Sequence, residues 1–388
     1  MKLILFDDSS WGTLRPLTLT RPVGELRVGI LTLREKWEQR LGMTASYLTR
    51  AYLQEKYPLG AGEDNLWVNA SVCPDEAVVK AVGALQMGEL LVGEMGEIAY
   101  RSRLPYKELP EDEWRRVTYS GSVTRIQYPY DIFTLNKQEL MADFEWLTRG
   151  RGSAPLDRSV NVYGRYPVFL EEGAVVRYAT INTEGGPVYI GKEAEVMEGV
   201  LIRGPLALCE HAVLNMGAKV YGATTLGPYC KCGGELNNVV LTGYSNKAHD
   251  GFLGNSVIGE WCNLGADTNN SNLKNTYAEV KLWDYETRRF RKTGLQFCGL
   301  IMGDHSKTGI NTMLNTGTVI GVGANVFGSD FPRNYIPSFA WGGASGFIEH
   351  QWKQFATTAS AVMARRGKVF DEVESRVLEE VYKNRKEE

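Results

Sequence analysis

The strongest pattern in the sequence is a six-residue spacing of large apolar residues in its second half. From residue 190 to residue 226 every sixth position is large and apolar, without a break: Ile190, Val196, Ile202, Leu208, Leu214, Val220 and Leu226. A period of six matches neither an α-helix, whose period is about 3.6, nor a simple strand, whose period is about 2. It predicts a triangular parallel β-helix in which one hexapeptide forms each side and three hexapeptides complete a coil.

The same pattern continues further along the chain with two interruptions. After a shift of two residues it returns at Val240, Phe252, Ile258 and Leu264, and later at Met302, Thr308, Leu314, Ile320 and Val326. In this register position 246, which should be apolar, is Asn246, so the repeat falters there. An insertion occupies residues 275–299, and its centre predicts a hairpin that turns at residues 284–287. We expect roughly seven coils in all.

The first half of the chain has the pattern of an ordinary α/β domain. Short apolar runs predict strands at residues 3–6, 66–68 and 89–92, and a helical spacing of apolar residues predicts a helix at residues 75–85. We therefore expect three parts: an α/β domain over residues 1–150, a β-helix over residues 160–340 with its hairpin insertion, and a helical tail over residues 345–388. The tail is predicted from Val373, Val377 and Val381, which lie on one helix face.

Composition excludes several classes of protein. The chain of 388 residues has 43 Lys and Arg against 46 Asp and Glu, a formal charge of −3, which argues against binding nucleic acid or an anionic membrane through a basic face. Six cysteines without a CxxC pair favour a reduced, cytoplasmic compartment. The apolar run at the N-terminus is too short for a signal peptide or a membrane span. The 42 glycines are expected at tight corners of the β-helix, for example at Gly191, Gly217 and Gly303.

The four histidines limit the catalytic chemistry. His211, His249, His305 and His350 are too far apart in sequence for a zinc site built on a close histidine pair, so no metal site is predicted. His211 and His305 fall at turns of unbroken repeats and are expected to be solvated. His249 lies where the repeat falters, and the amide-rich segment 263–272 follows one coil later, so an imidazole and carboxamides could share a groove. An asparagine ladder that satisfies turn backbone is the structural alternative.

Two stretches of the second half resemble a known family. Residues 245–272, SNKAHDGFLGNSVIGEWCNLGADTNNSN, and residues 293–304, TGLQFCGLIMGD, with the run to Gly321, resemble the acetyltransferase half of the bifunctional GlmU-type enzymes, particularly archaeal and variant bacterial members. Those enzymes make N-acetylglucosamine 1-phosphate on a trimeric left-handed β-helix and join it to UMP in an N-terminal nucleotidyltransferase domain. The resemblance covers most of residues 160–330. It implies a nucleotidyltransferase-like, Rossmann-like α/β domain, then a left-handed parallel β-helix of hexapeptide repeats with a C-terminal helix.

The resemblance also implies roles for individual residues. His249 would take a proton from the substrate amine as the amine attacks an acyl thioester, and Asn272 would orient the substrate or stabilise the tetrahedral oxyanion. Glu235 and Asn237 fall where the family binds the sugar. Acetyl-CoA, the implied acyl donor, would contact backbone near three positions: Ala266, Thr308 and Ala324.

Two departures from the family concern the sugar phosphate. Phe252 stands where the family has an aromatic hydroxyl, and Asn237 stands where it has a phosphate-binding lysine. The phosphate contact would then come from Lys247, Lys274 or Arg203, and the sequence does not choose among them.

The beginning of the chain resembles the opening loop of sugar 1-phosphate nucleotidyltransferases through residues 12–18, GTLRPLT, and 21–22, RP. The resemblance implies that Thr13, Arg15 and Arg21 bind a nucleotide. The early glycines of that loop are replaced by polar residues, and Asn69 stands in the place of the family's metal-binding aspartate. Mg²⁺ would therefore be needed only if this domain is active, and whether it transfers a uridylyl group stays open.

The sequence thus predicts a cytoplasmic, homotrimeric transferase: a sugar-phosphate N-acetyltransferase that uses acetyl-CoA, with nucleotidyl transfer to a sugar 1-phosphate as an open second activity. Its expected partners are a sugar phosphate or a nucleotide sugar, with neither nucleic acid nor membrane. The alternative is a catalytically reduced protein that binds a sugar nucleotide or serves as a scaffold. A third class, a metal hydratase of hexapeptide architecture, is disfavoured by the histidine count. Neither the sugar nor the acyl donor follows from the sequence itself.

Overall fold

The computed structural model describes residues 1–110, 112 and 114–388, which form two compact units. Unit 1 consists of Met1–Leu14, Thr20–Leu26 and Leu31–Tyr128, and unit 2 consists of Arg15–Leu19, Arg27–Ile30 and Pro129–Glu388. The last change of unit therefore falls between residues 128 and 129, whereas the sequence interpretation sets the end of its first domain at residue 150.

Unit 1 is built on a six-stranded mixed sheet. Its strands, β1 to β6 in chain order, are Lys2–Phe6, Ala45–Leu48, Asn65–Asn69, Glu89–Gly93, Gly96–Ser102 and Arg115–Thr118. The spatial order is β2-β1-β3-β5-β4-β6; β2, β1 and β3 are parallel, and β5 is antiparallel to both of its neighbours. The α-helices are Ser10–Thr13, Leu33–Leu41 and Glu76–Gly83, and the 3₁₀ helices are Val23–Glu25, Ala51–Leu53 and Tyr106–Glu108.

The elements predicted for the first half are confirmed. β1, β3 and β4 contain the three predicted strands, and their central residues Ile4, Trp67 and Leu90 are fully buried. The predicted helix begins after Asp75, whose carboxylate accepts a hydrogen bond of 2.7 Å from the amide of Val78. This is the N-cap that the sequence supplies just before the apolar spacing starts.

Unit 2 is dominated by a triangular parallel β-helix whose sides we call A, B and C. Side A consists of Val175–Val176, Glu195–Val196, Val213–Leu214, Lys231–Cys232, Asn246–Lys247, Asn263–Leu264, Lys307–Thr308, Asn325–Val326 and Ala340–Gly343. Side B consists of Asn161–Tyr163, Thr180–Asn182, Leu201–Arg203, Lys219–Tyr221, Asn269–Asn270, Met313–Leu314 and the first halves of two long strands, Glu235–Gly243 and Phe252–Glu260. Side C consists of Val168–Leu170, Val188–Ile190, Leu206–Leu208, Thr224–Leu226, Leu300–Met302, Thr318–Ile320, Tyr335–Ile336 and the second halves of the long strands.

The interior of this prism confirms the hexapeptide interpretation. The seven apolar residues between Ile190 and Leu226 are each at most 3% exposed and belong to one continuous core. They stack in successive coils, with Leu208 between Ile190 and Leu226. The predicted fold class, a nucleotidyltransferase-like α/β domain followed by a left-handed parallel β-helix and C-terminal helices, is confirmed. There are about ten coils rather than seven, because coils continue before residue 170 and after residue 326.

The predicted register is wrong around residues 240–253, because one coil is short. Leu208 pairs with Leu226, eighteen residues later, whereas Leu226 pairs with Leu241, only fifteen residues later. The residues that point into the prism therefore lie one position later than Val240, Asn246 and Phe252; they are Leu241, Lys247 and Leu253. The following coil has seventeen residues, from Leu241 to Ile258, and this restores the predicted register.

The corner between sides C and A carries one residue of positive φ in each coil. These residues are Gly173, Glu193, His211, Tyr229, Tyr244, Trp261, His305, Gly323 and Phe339. The consecutive rings of His211, Tyr229, Tyr244, Trp261 and His305 stack on one another, and we call them the aromatic ladder. His305 was expected to be solvated, but it is only 2% exposed.

The C-terminal tail forms two helices, Trp352–Ala364 and Glu372–Asn384. The first helix inserts the ring of Phe355 into the gap left by Gly323, where it lies 5.7 Å from the ring of His305 and 4.8 Å from the ring of Phe339. Before these helices, Gly346–Glu349 folds back antiparallel on the last strand of side A.

Two further elements complete unit 2. The helix Pro129–Thr148 packs on the prism, where Asn136 Nδ2 donates to the carbonyl of Ala223 at 3.1 Å. The insertion forms an antiparallel hairpin of Lys281–Asp284 and Arg289–Lys292. Among the helices of the described ranges, none has the length and apolarity needed to cross a membrane.

Candidate functional site

His249 lies at the corner that joins sides A and B, which we call the A–B corner, and its side chain is exposed. Three consecutive carbonyl groups at this corner each accept a hydrogen bond, and the donors come from three different coils. The pairs are Asn215 Nδ2 to Ala248 O at 2.8 Å, Lys247 Nζ to His249 O at 2.5 Å, and the Asp267 amide to Asp250 O at 3.0 Å. The backbone that carries the imidazole is therefore fixed from both sides and from within.

The outer face of side B beside this corner carries the residues expected to bind the sugar. Glu235 pairs with Phe252, and Asn237 pairs with Gly254, in the register of the two long strands. The residue between Glu235 and Asn237 is fully buried in the prism, so the alternation of a strand turns these two side chains outward. The structure thus brings Glu235, Asn237 and Phe252 onto one surface that begins just after His249.

Two asparagines on this side form the ladder that was the structural alternative. Asn269 Oδ1 accepts a hydrogen bond from the amide of Phe252 at 2.8 Å. Asn270 Oδ1 accepts one from the amide of Gly254 at 2.9 Å, and its Nδ2 donates to the Gly254 carbonyl at 3.1 Å. The next strand of side B thus satisfies the backbone of Phe252 and Gly254 through its side chains rather than through its own backbone.

Asn272 is placed differently. Its Nδ2 donates to Asn255 Oδ1 at 2.8 Å, and it lies against Gly254, where an added Cβ would be 2.7 Å from this nitrogen. The ring of Phe252 lies over the same glycine, 2.5 Å from the position of that Cβ. Asn272 therefore shares the side B surface with Phe252, and the surface continues from the corner of His249.

The basic residues considered for the phosphate lie in three different places. Lys247 is 2% exposed, its amine donates to the carbonyl of His249, and burial lowers its pKa. Lys274 Nζ donates to the carbonyl of Glu279 at 3.0 Å, at the base of the hairpin. Arg203 is exposed on side B, so it is the one of these three whose charge faces solvent on the same side as Glu235.

The three positions expected to contact the acyl donor lie in neighbouring coils. Ala266 and Thr308 are at the A–B corner, where the amide of Gly265 donates to the carbonyl of Thr308 at 3.1 Å. Ala324 lies one coil further, where its carbonyl accepts a hydrogen bond of 2.8 Å from the amide of Lys307. Thr308 and Ala324 are buried, so only their backbone environment could serve a ligand.

Unit 1 contains a cavity of about 860 Å³ at the carboxyl ends of β1, β2 and β3. Ligands of open parallel α/β sheets bind outside these strand ends, and the volume is within the range of roughly 300–1,000 Å³ for small-molecule sites. The wall combines charged groups with apolar rings; Asp8, Arg50, Asn69, Arg125, Tyr100 and Tyr106 contribute to it.

Asp8 organises the polar part of this cavity. Its Oδ1 accepts a hydrogen bond of 2.8 Å from the amide of Ser10, and its Oδ2 accepts one of 2.8 Å from Asn69 Nδ2. Arg125 Nη1 lies 3.8 Å from Oδ2. The Arg125 side chain is buried and also donates to the carbonyl of Glu97 at 2.6 Å, while burial lowers its pKa.

Asp7 also lines the cavity, but it is held in a less polar environment. Its Oδ1 accepts a hydrogen bond from the amide of Val23 at 2.9 Å, and its Oδ2 accepts one from Thr49 Oγ1 at 2.6 Å. Burial raises the pKa of Asp7 to about 6 against the opposing effect of these hydrogen bonds. Neither of these aspartates nor Arg125 is among the site residues predicted from the sequence. The two aspartates could have been found from their position directly after the first buried strand, because residues at that position face the crevice at the strand ends.

The residues that the resemblance assigned to the nucleotide are dispersed. Thr13 Oγ1 donates to the carbonyl of Gln127 at 2.5 Å, and Arg21 is 5% exposed. Arg15 belongs to unit 2, where it forms an ion pair of 2.5 Å with Glu286 of the hairpin. Among the described residues that line the cavity, none of Thr13, Arg15 and Arg21 occurs.

The strand ends of unit 1 do not fit a Mg²⁺ ion as they stand. Both carboxylate oxygens of Asp8 accept hydrogen bonds from protein groups, and Asn69 Oδ1 accepts one from the amide of Ser71 at 3.0 Å. Within the part of the chain that the structure describes, no group of three or more His, Cys, Asp or Glu side chains could hold a metal ion.

The fold and these two regions define a protein with a nucleotidyltransferase-like α/β unit and a β-helix of hexapeptide coils. Residues 3–152 match the family model described as sugar nucleotidyl transferase. This part of the chain is therefore similar to sugar nucleotidyl transferases, and the resemblance to the bifunctional enzymes is confirmed.

Two curated relatives are named as bifunctional proteins, and the name of one of them gives the activities as nucleotidylyltransferase and acetyltransferase. The bifunctional sugar-1-phosphate nucleotidylyltransferase/acetyltransferase of Sulfurisphaera tokodaii is 29% identical over 144 residues, which are 37% of this chain and 35% of that protein. The bifunctional protein GlmU of Methanocaldococcus jannaschii is 26% identical over 213 residues, which are 55% of this chain and 45% of that protein. The matches thus span less than half the length of these relatives.

Among solved structures, the polysialic acid O-acetyltransferase OatWY aligns over 49% of this chain and 88% of its own chain, at 12% identity and a TM-score of 0.19. That TM-score is too low to support an inference.

Proposed function

We propose that unit 2 is a sugar-phosphate N-acetyltransferase that uses acetyl-CoA. The observation that carries the proposal is the position of His249: an exposed imidazole on a fixed corner, directly before an outward-facing surface of Glu235, Asn237 and Phe252. Asn272 adds a carboxamide to that surface. The names of the relatives support the reaction class.

In the proposed reaction the amine nitrogen of the sugar attacks the thioester carbonyl carbon, and His249 accepts the proton that the nitrogen loses. The Asn272 amide is a hydrogen-bond donor for the oxyanion of the tetrahedral intermediate. The carbon–sulfur bond then breaks, the thiolate leaves with a proton, and an amide and a free thiol remain. Glu235 and Asn237 would orient the sugar hydroxyls, and Arg203 is our candidate for the phosphate. The thioester would lie along backbone near Ala266 and Thr308, with Ala324 one coil away.

The test is acetyl-CoA turnover with amino-sugar phosphates, including glucosamine 1-phosphate, in wild type and His249→Ala. Loss of a general base should lower kcat by about 10²–10⁴-fold. His211→Ala is the matched control, since His211 is also a partly exposed corner histidine but lies in the aromatic ladder. It should keep wild-type turnover. Equal turnover in wild type and His249→Ala would remove His249 as the base.

We propose as a second function that unit 1 binds a nucleotide sugar in its cavity without nucleotidyl transfer. The supporting observation is that Asp8, the carboxylate nearest to Asn69, is engaged by protein donors rather than available to Mg²⁺. Arg125 and Arg50 supply positive charge for a diphosphate, and Tyr100 and Tyr106 supply rings beside it. Nucleotidyl transfer with Mg²⁺ is the competing outcome.

Calorimetric titration with UDP-N-acetylglucosamine tests this second function. We expect binding in wild type, binding weakened about tenfold or more in Arg125→Gln, and no change in Lys80→Gln, an exposed control on the helix Glu76–Gly83. Release of pyrophosphate from UTP and N-acetylglucosamine 1-phosphate with Mg²⁺ would contradict the restriction to binding. No binding in wild type would contradict the function itself.

We further propose a cytoplasmic homotrimer. Large apolar residues are exposed on side B and at the A–B corner of its first coils: Tyr163, Tyr178, Leu201, Met216 and Tyr221. Such a row of exposed apolar side chains favours an interface between copies of the prism. The six cysteines are all free and buried, which is typical of a reducing compartment.

A further inference from the structure

One lysine occupies an interior position of the prism. Along side A the residues that point inward include Leu214, Cys232 and Lys247 in register, and Lys247 is only 2% exposed. Lysine is almost never fully buried unless its charge is paired or hydrogen-bonded, because an isolated ammonium loses its hydration. An apolar residue at this position would continue the hexapeptide pattern. Packing of the core therefore gives no reason for a lysine, whose ammonium loses its hydration here.

The amine of Lys247 reaches out of the interior to the A–B corner. Its Nζ donates to the carbonyl oxygen of His249 at 2.5 Å. Room for the amine is provided by Gly234, because an added Cβ there would lie 2.9 Å from Nζ. Of the three donors that hold this corner, Lys247 is the charged one, and a hydrogen bond from a charged donor is about twice as strong as a neutral one.

The charged and titratable groups around the ammonium favour its protonated form. Burial lowers the pKa of the Lys247 amine, and the carboxylates of Asp250 on the same corner and of Asp267 on the next coil oppose that effect. A protonated amine can donate to the carbonyl, whereas a methyl or thioether group cannot.

We propose that Lys247 is a positioning residue for His249, whose ammonium holds the A–B corner in the conformation that presents the imidazole to the side B surface. The effect on turnover rests on the proposed acyl transfer; the effect on the corner itself does not. Lys247 thus acts through the backbone of His249 and is separate from any contact with the sugar phosphate.

Amide hydrogen exchange of the full chain tests the structural part. In Lys247→Met the amides of residues 246–252 should exchange about tenfold faster than in wild type, which is the change expected for losing one charged hydrogen bond. Lys307→Met is the matched control: Lys307 Nζ donates to the carbonyl of His305 at 2.9 Å, so it loses an equivalent bond at another corner. It should leave exchange at residues 246–252 unchanged. Wild-type exchange there in Lys247→Met would overturn the proposal.

Kinetics test the positioning role. Lys247→Met should lower kcat about tenfold and leave KM for acetyl-CoA within about twofold, with a melting temperature equal to or above that of wild type because a buried charge is removed. Lys247→Gln, which keeps a neutral donor, should recover part of kcat. An unchanged kcat in Lys247→Met while His249→Ala is inactive would refute positioning. Wild-type turnover in His249→Ala would remove His249 as the base, and absence of turnover in wild type would refute the proposed function. In both cases the exchange result would still decide whether Lys247 holds the corner.

Discussion

At several corners of the prism an aromatic residue, rather than a glycine, has the left-handed backbone conformation. The left-handed backbone conformation favours glycine, yet Tyr229, Tyr244 and Trp261 adopt it in consecutive coils. Gly191 and Gly303, expected at corners for their conformational freedom, are needed for space: an added Cβ would lie 2.8 Å and 2.9 Å from the backbone of the next coil. Stacking between rings 4.3–5.0 Å apart compensates the conformational cost of the aromatic corners.

Asp7 gives a prediction about stability and pH. Its pKa in the folded protein, about 6, lies above its ordinary value of 3.8, so the folded state binds a proton more tightly than the unfolded state does. The contribution of this group to stability therefore falls as pH rises from about 4 to 6 and stays low above that. Asp7→Asn should remove this dependence and raise stability at pH 7 by about 2 kcal/mol, because the amide can keep contacts to both Val23 and Thr49.

Calorimetric melting at pH 4 and pH 7 measures this difference. Asp75→Asn is a control outside the cavity, since that carboxylate is a helix N-cap and Asn caps equally well. An Asp7→Asn protein that is less stable than wild type at pH 7 would contradict the prediction.

At the scale of residues, His249 and the residues of the side B surface could be named from the sequence. The residues that contact and position them could not. The repeat predicts that position 246 faces the interior, whereas the structure has Lys247 in the interior. The error arose because a coil of fifteen residues moves the inward face by three positions, and a period alone does not reveal a shortened corner. Asp8 and Arg125 meet only through the pairing of distant strands, which no local pattern encodes.

At the scale of elements, the aromatic ladder explains how the C-terminal tail docks. The ladder ends at His305, because the next corner residue is Gly323, and Phe355 from the helix Trp352–Ala364 occupies the space beside this glycine. The ring of Phe355 is 2% exposed, and it contacts the rings of His305 and Phe339 edge to face. The helix is therefore part of the corner structure rather than a separate tail.

Phe355→Ala should detach this helix. Removing a buried phenyl ring costs about 3–5 kcal/mol, which exceeds what the remaining contacts of a short helix usually supply. We expect faster proteolysis within residues 345–388 and little change in the prism. Lys353→Ala, on the exposed face of the same helix, should behave as wild type. Equal protease resistance of the two variants would contradict the role of Phe355.

The hexapeptide pattern predicted most strands of unit 2, yet it gave no indication of the helix Pro129–Thr148. This helix buries polar as well as apolar residues: Asn136 Oδ1 accepts from the amide of Gly29 at 2.7 Å, and Asp143 Oδ2 accepts from the amide of Ile30 at 2.8 Å. These contacts satisfy buried backbone of a distant segment. They interrupt the apolar stripe by which an amphipathic helix is recognised.

For the whole molecule, the proposed trimer makes the clearest prediction. Leu201→Glu places a charge among the exposed apolar side chains of side B, where Leu201 is 52% exposed, and should shift the protein from three chain masses to one in light scattering. Ile348→Glu is the control, because Ile348 is 73% exposed on the terminal hairpin instead. A wild-type protein of one chain mass would refute the trimer.

The order of two units could be predicted from the sequence because each has its own pattern, an α/β alternation and a six-residue repeat. The strand-end cavity could not be predicted, since Asp7, Asn69 and Arg125, which line it, are far apart along the chain. The predicted nucleotide-binding residues Thr13, Arg15 and Arg21 came from the resemblance of one loop to the family. In this chain Asp7 and Asp8 replace glycines of that loop, and the three side chains do not line the cavity.

The antiparallel strand Gly346–Glu349 has a consequence for solubility at high concentration. A stack of parallel coils ends in a row of unpaired backbone groups, which is a template for end-to-end growth into fibres. Here the last strand of side A is already paired with a strand running the opposite way, so an incoming coil cannot continue the parallel register on that side. The edge strand at this end of side A is therefore antiparallel to the coils, and it begins six residues after the start of the last parallel strand.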